Sequence, residues 1–166
     1  WDPGNDVYWN ELGNAQTALL KGGVTGPATA AARAAFRRAC VLAPDDYRAW
    51  WNLGMLELSL KDPDAVTCLE RAEQLYPTLA EIKGWAAVAR IYVNGDTAGA
   101  EAIAAKAFAL APGQAYAVTA QGFCALKQKD YRRALTLFSS ATTRDASNRF
   151  AYFGLSLYYR ATHDPQ

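Results

Sequence analysis

Few side chains in this sequence have the chemistry of nucleophiles or metal ligands. The chain has three cysteines, Cys40, Cys68 and Cys124, and a single histidine, His163. The cysteines are too far apart in sequence for a CxxC unit, and an odd number cannot pair fully within one chain. Their spacing also lacks the close pairs of ligands that structural zinc sites use. We therefore predict buried free thiols and a solvated histidine near the C-terminus, with no catalytic residue, no metal site and no cofactor.

One glycine-rich segment has the composition of a phosphate-binding loop, which would use successive backbone N–H groups at a helix start. It comprises Gly22-Gly23-Val24-Thr25-Gly26-Pro27. No strand pattern precedes it, no Lys-Ser/Thr pair follows it, and Pro27 has no N–H to donate. We interpret it as part of a long turn between two helices.

Acidic residues in this sequence mark predicted helix starts, where carboxylates accept free N–H groups and favour the helix dipole. Asp45-Asp46 would begin one helix, and Asp62 would cap another just before Pro63. Thr78 with Glu81 has the spacing of a capping box. We prefer these structural roles to a glycosidase-like pair of carboxylates.

Composition limits the classes of partner. The 166 residues carry 17 basic and 16 acidic side chains, a net charge of +1, so no global field attracts nucleic acid or an anionic membrane surface. No apolar run reaches the roughly 20 residues of a membrane span, and the first residues lack a signal-peptide pattern. Lys127, Lys129, Arg132 and Arg133 form one basic cluster, which we interpret as a solvated turn or, alternatively, a docking patch for an acidic partner.

The elements that position these residues recur with a fixed period. Four prolines each stand ten residues before a small residue: Pro3 before Gly13, Pro44 before Gly54, Pro77 before Ala87, and Pro112 before Gly122. The last three prolines are 33 and 35 residues apart. Alanines at helical spacing follow each small residue, so a small-residue contact between paired helices is predicted. No alternating strand pattern of useful length is present.

This pattern resembles the tetratricopeptide repeat, in which a helix bearing W-x-x-L-G is followed by a second helix and a proline-marked exit. Trp50-Leu53-Gly54 and Pro77 form the best copy, whereas Lys83 replaces the tryptophan in the third. The resemblance implies an all-α fold, a right-handed α-α superhelix of antiparallel helix pairs, with about four pairs plus one helix. We predict one repeat domain over residues 1–166, with repeats at 6–44, 45–77, 78–112 and 113–146 and a partial fifth at 147–160.

In this family the first helix of each pair lines a concave groove that binds ligands. Counting from the small residue of each repeat, we predict a groove lined by aromatic rings with a polar amide end. The predicted contacts are Asn14, Trp51, Asn52, Met55, Trp85, Tyr92, Tyr116, Phe123 and Tyr152, with Asn10, Arg48, Val88 and Leu155 in further groove slots. Aromatic residues anchor many interfaces. The alternative is that individual rings only pack between neighbouring helices.

One binding mode of the family is disfavoured. Its carboxylate clamp for chaperone tails needs two asparagines, which Asn14 and Asn52 match, and three cationic positions. Those three positions hold Asn10, Glu81 and Trp85. A clamp without cations, in which Glu81 repels the bound carboxylate, is not expected to work.

The resemblance thus implies a non-enzymatic scaffold that binds a peptide segment or helix of a partner protein. The alternative is a structural assembly module, packing on copies of itself or within a larger envelope- or membrane-associated polypeptide. We also expect both ends to be cut surfaces of a longer array, with self-association through the apolar helix at 150–160. Localisation is not predicted.

Overall fold

A computed structural model describes residues 4–19 and 26–163 of the chain. These residues form nine α-helices and no strand, so the predicted all-α class is confirmed. The helices are α1 (Asp6–Ala18), α2 (Pro27–Leu42), α3 (Tyr47–Leu60), α4 (Asp64–Leu75), α5 (Ala80–Ala89), α6 (Thr97–Leu110), α7 (Ala115–Lys127), α8 (Tyr131–Arg144) and α9 (Arg149–His163). A π-helical turn, Arg90–Asn94, continues α5.

The chain divides into two compact units. Unit 1, Trp1–Pro77, contains α1 to α4, and unit 2, Thr78–Gln166, contains α5 to α9. In each unit, consecutive helices pack as pairs, α1 with α2 and α3 with α4, then α5 with α6 and α7 with α8, while α9 packs on α7 and α8. Each pair lies within one predicted repeat, and α9 extends three residues beyond the predicted residue 160.

Small residues allow the two helices of a pair to approach closely. A Cβ atom on Gly54 would lie 2.7 Å from Cγ of Leu69, and one on Gly122 would lie 2.7 Å from the Phe138 ring. The same Phe138 ring also fills the space beside Gly154 of the next repeat. Since Leu69 and Phe138 are fully buried, a larger residue at these glycines would displace the core.

The helix starts partly follow the sequence predictions. Asp46 caps α3 and accepts the N–H of Arg48 at 3.0 Å, as predicted. Helix α4 begins one residue after the predicted N1 proline, yet Asp62 Oδ1 still accepts the N–H of Asp64 at 3.0 Å. The predicted capping box of Thr78 and Glu81 is wrong. Helix α5 begins at Ala80 after Leu79, so the Thr78 hydroxyl stands one residue too early to cap it.

A buried charge cluster in unit 1 was not predicted. The Glu57 side chain is fully buried in α3 and binds the guanidinium of Arg33 from α2. Arg33 also pairs with Asp62 at 3.1 Å, and Arg37 pairs with Asp64 at 3.0 Å. Because Asp62 and Asp64 stand at the start of α4, the cluster connects three helices.

Candidate binding surface

In unit 1 the predicted groove residues occupy α1 and α3. Trp51, Asn52 and Met55 are half-buried, and Asn14 is exposed. The Asn52 amide donates to the Asn10 Oδ1 at 2.9 Å, and Asn10 is buried. The amide end of the predicted surface is therefore a paired contact between two helices, in which the Asn52 side chain already has a partner.

In unit 2 two predicted rings take part in packing. Trp85 is only 8% exposed, and its ring lies 5.0 Å from that of Phe150. Tyr92 stands in the π-helical turn, is half-buried, and packs 4.9 Å from Phe153. Both rings therefore contribute to packing between helices, and each exposes only part of its surface to solvent.

Phe123 is a core residue, so its prediction as a surface contact is wrong. Its side chain is 1% exposed and packs against Phe138 at 5.2 Å and Phe153 at 6.5 Å. Phe123 follows Gly122 on α7, as the offsets predict, but its ring turns into the core against Phe138 and Phe153. A ring with this exposure offers no surface to a ligand.

Two predicted tyrosines remain accessible in unit 2. Tyr152 on α9 is 51% exposed, and Tyr116 at the start of α7 is half-buried. Burial, together with the nearby charge of Glu81, raises the pKa of Tyr116 above its usual value. The Tyr116 ring lies over Gly84 of α5, where a Cβ atom would come within 3.0 Å of it.

A cleft of about 320 Å³ brings Trp85 and Tyr116 together within unit 2. We call it the α5–α7 cleft. It opens beside the start of α5, the turn before α7 and the turn before α9. Its lining residues are Glu81, Trp85, Gly113, Gln114, Ala115, Tyr116, Arg144, Asp145 and Asn148.

The three charged residues of the α5–α7 cleft differ in their hydrogen-bond partners. Arg144 donates to the Gly113 carbonyl at 2.7 Å and to Ser140 at 3.1 Å. Asp145 accepts from the Ser147 N–H at 2.9 Å and the Ser147 hydroxyl at 2.7 Å, and these bonds hold its pKa below the usual value. Glu81 makes no ion pair or hydrogen bond with any residue in the described part of the chain.

Glu81 was predicted only as a residue unfavourable to a carboxylate clamp, and Arg144 and Asp145 were not predicted as part of a site. A signal was nevertheless available. Glu81 and Tyr116 precede the small residues Ala87 and Gly122 by the same six positions, and Asn148 precedes Gly154 by six. Arg144 and Asp145 lie at the exit of the repeat, after its second helix, whereas the groove positions were counted on the first helix.

The cysteines considered above as possible nucleophiles or metal ligands are packed in the interior, and the histidine lies at the surface. Cys40, Cys68 and Cys124 are buried and free, as predicted. Burial raises the pKa of Cys40 and Cys68 to about 12 and that of Cys124 to about 11, so they are weak nucleophiles at neutral pH. His163 is exposed at the end of α9 and stacks 5.7 Å from Tyr159.

No group of three or more side chains suited to metal binding occurs in residues 4–19 and 26–163. None of the helices in these ranges combines the length and hydrophobicity that a membrane span requires. Most of the glycine-rich turn lies outside the described residues, and Pro27 is the first residue of α2. The predicted repeat exit at Pro3 also lies outside them.

The basic cluster surrounds the turn between α7 and α8. Asp130 caps α8 by accepting the N–H of Arg133, and the Arg133 guanidinium donates to Gln121 at 3.1 Å. Lys127, Lys129 and Arg132 are exposed. These contacts agree with the interpretation of a solvated turn.

Helix pairs joined through small residues define a tetratricopeptide-like helical repeat fold in this chain. No protein-family model and no curated protein sequence matches it. Among solved structures, MamA is similar with a TM-score of 0.65 and 18% identity, over 95% of this chain and 82% of MamA. YrrB, a TPR protein with an unusual peptide-binding site, is similar with a TM-score of 0.64 and 14% identity, over 98% of this chain and 80% of YrrB.

A third similar structure is much longer than this chain. Human IFIT1, solved with m7Gppp-AAAA, matches with a TM-score of 0.74 and 20% identity, over 95% of this chain and 36% of IFIT1. The chain therefore spans about a third of that protein. These identities establish the fold alone.

Proposed function

We propose that this chain is a protein-interaction scaffold that binds a peptide segment of a partner along the first helices of its repeats. The α5–α7 cleft is the observation that carries the proposal. Two rings predicted from sequence as contacts, Trp85 and Tyr116, line it beside backbone and carboxylate groups. Pockets that combine aromatic walls with a few polar groups are the usual form of a binding site.

Each unit presents its own candidate contacts. In unit 1 they are Trp51 and Met55 on α3 with Asn14 on α1. In unit 2 they are Tyr116 and Tyr152 with the small exposed part of Trp85. Tyrosine and tryptophan give large contact areas at low cost in side-chain entropy. A peptide bound by these side chains is consistent with the similarity to YrrB, a TPR protein with an unusual peptide-binding site.

A peptide-library selection followed by calorimetric titration tests the proposal. Replacing Tyr116 and Tyr152 together by alanine should weaken binding of the selected peptides by on the order of 2 kcal/mol, because aromatic anchors carry most interface energy. The matched control is Phe108→Ala on α6, which removes a ring that is 38% exposed on the second helix of a pair. This control should bind peptide like the unmodified chain.

Two results would contradict the proposal. One is a library selection without a specific binder. The other is a set of binders whose affinity falls as much with Phe108→Ala as with the tyrosine variants. Capped RNA of the kind bound by IFIT1 should be included as a competitor, and displacement of the peptide by RNA would favour a nucleic-acid partner.

A second candidate function, self-association, is favoured by a different observation. Helix α9 exposes Tyr152 and Tyr159, at 51% and 49%. It carries Arg149 and Arg160 without any acidic residue, whereas α1 carries only the acidic charges of Asp6 and Glu11. Opposite charges on two helices suit a contact between α9 of one copy and α1 of another.

A further inference from the structure

We infer that the α5–α7 cleft recognises a lysine or arginine side chain of the bound peptide. This inference rests on the proposed peptide-binding function and adds the chemistry of one residue of the partner. The charges, the aromatic walls and the size of the cleft support it, and all the lining residues lie within unit 2.

The cleft contains an unpaired carboxylate. Glu81 is half-buried in the cleft and makes no ion pair or hydrogen bond with the described residues. A half-buried carboxylate loses part of its hydration, and a cation that enters the cleft restores a favourable interaction. Asp145 adds a second negative charge, since its hydrogen bonds to Ser147 hold its pKa low and keep it ionised at neutral pH.

The guanidinium already present in the cleft has other partners. Arg144 donates to the Gly113 carbonyl and to Ser140, and no salt bridge joins it to Glu81 or Asp145 in the described residues. Arg149 lies over the Phe150 ring at 5.1 Å and is not a lining residue. The lining thus holds two carboxylates and one guanidinium, so an anionic guest would be repelled on balance.

The walls of the cleft are aromatic. Trp85 and Tyr116 offer ring surface to the aliphatic stem of a lysine or arginine, and a cation within about 6 Å of a ring centre gains a further attraction. The cleft volume of about 320 Å³ is at the lower end of ligand pockets. It therefore suits a single long side chain better than a folded segment.

Nuclear magnetic resonance with small probes tests the inference directly on the full chain. The probe is N-acetyl-arginine methylamide, and its neutral analogue is the corresponding citrulline derivative. The readout is the indole N–H signal of Trp85, assigned by its loss in Trp85→Phe. We expect a saturable shift with the arginine probe, a smaller effect with citrulline, and weakening at higher salt because the attraction is electrostatic.

A charge-neutral variant identifies the group responsible. Glu81→Gln should weaken binding of the arginine probe by roughly fivefold, the upper range for a partly exposed ion pair. Asp45→Asn, a matched loss of charge at an exposed carboxylate outside the cleft, should leave binding unchanged. Glu81 makes no hydrogen bond or ion pair with the described residues and contributes only its charge in the first turn of α5. Its replacement should therefore leave the circular dichroism spectrum unchanged and lower the unfolding midpoint only slightly.

The outcomes separate this inference from the proposed function. Absence of a saturable shift, equal affinity for citrulline, or tighter binding of N-acetyl-glutamate methylamide overturns the cation site. If selected peptides without a lysine or arginine still depend on Tyr116 and Tyr152, the scaffold function stands and the inference fails. If the arginine probe depends on Glu81 but peptide binding ignores both tyrosines, the proposed function fails instead.

Discussion

At the scale of single residues, the glycines of the helix pairs carry the most specific information. Gly54 lies against Leu69, and a Cβ atom there would come within 2.7 Å of Cγ. A larger side chain improves helix propensity by up to about 1 kcal/mol at a helical glycine. The steric conflict exceeds this gain because Leu69 is fully buried, so that moving it would disturb the core around it.

We therefore predict that Gly54→Leu destabilises the chain by about 3 kcal/mol through overpacking. Equilibrium unfolding in urea measures the change. The control is Gly113→Ala, where the nearest atom to an added Cβ is 3.8 Å away on the flexible Arg144 side chain. A loss below about 0.5 kcal/mol for Gly54→Leu would contradict the repeat register.

The sequence predicted such contacts well because proline and glycine spacing fixes where two helices meet. It predicted side-chain orientation less well. Phe123 stands beside Gly122, in a groove slot by counting, yet its ring fills the core. The distance in sequence from the small residue predicts where a residue lies along the helix. The direction of its ring depends on which neighbouring residues leave space for it.

At the scale of elements, the buried Glu57 connects the three helices α2, α3 and α4 through Arg33 and Arg37. Removing one partner of a buried ion pair leaves an uncompensated charge. The cost is reduced here because the Arg33 side chain is 30% exposed and the Arg37 side chain 52% exposed, so water can solvate them.

We predict that Glu57→Ala lowers the free energy of unfolding by about 2 kcal/mol, between the values for exposed and buried pairs. Thermal or urea unfolding measures it. Glu11→Ala removes the same charge from an exposed position of α1 and should change stability by less than about 0.5 kcal/mol. Equal effects for the two variants would show that the cluster adds nothing to the packing of unit 1.

The sequence predicted which segments are helical better than it predicted where each helix begins and ends. The strong N-cap residue Asp46 begins α3 as expected, but α5 begins without a side-chain cap although Thr78 and Glu81 have the right spacing. The π-helical turn at Arg90–Asn94 has no local sequence signature that we recognised. Glu57 was missed for a related reason, since a charged residue is expected at the surface unless its partners from other helices are known.

At the scale of the whole molecule, the near-zero net charge hides an uneven distribution. The chain carries +1 overall, while α1 has two acidic and no basic residues, and α9 has two arginines and no acidic residue. A protein of low net charge has little overall repulsion between copies. Local complementarity therefore decides whether copies associate, and the exposed Tyr152 and Tyr159 supply apolar area beside the positive charges.

For the self-association candidate, we predict a weight-average mass that rises with concentration and falls with added salt, as measured by sedimentation equilibrium. Arg160→Glu should return the chain to monomer, and so should Glu11→Arg, because each variant places like charges at the contact. Mixing the two variants should restore association, since each then supplies the complement of the other. Arg132→Glu on α8 is the matched control and should associate normally. A mass that stays monomeric at every concentration, or equal loss in the control, would exclude the α9–α1 contact and leave Tyr152 available for peptide binding.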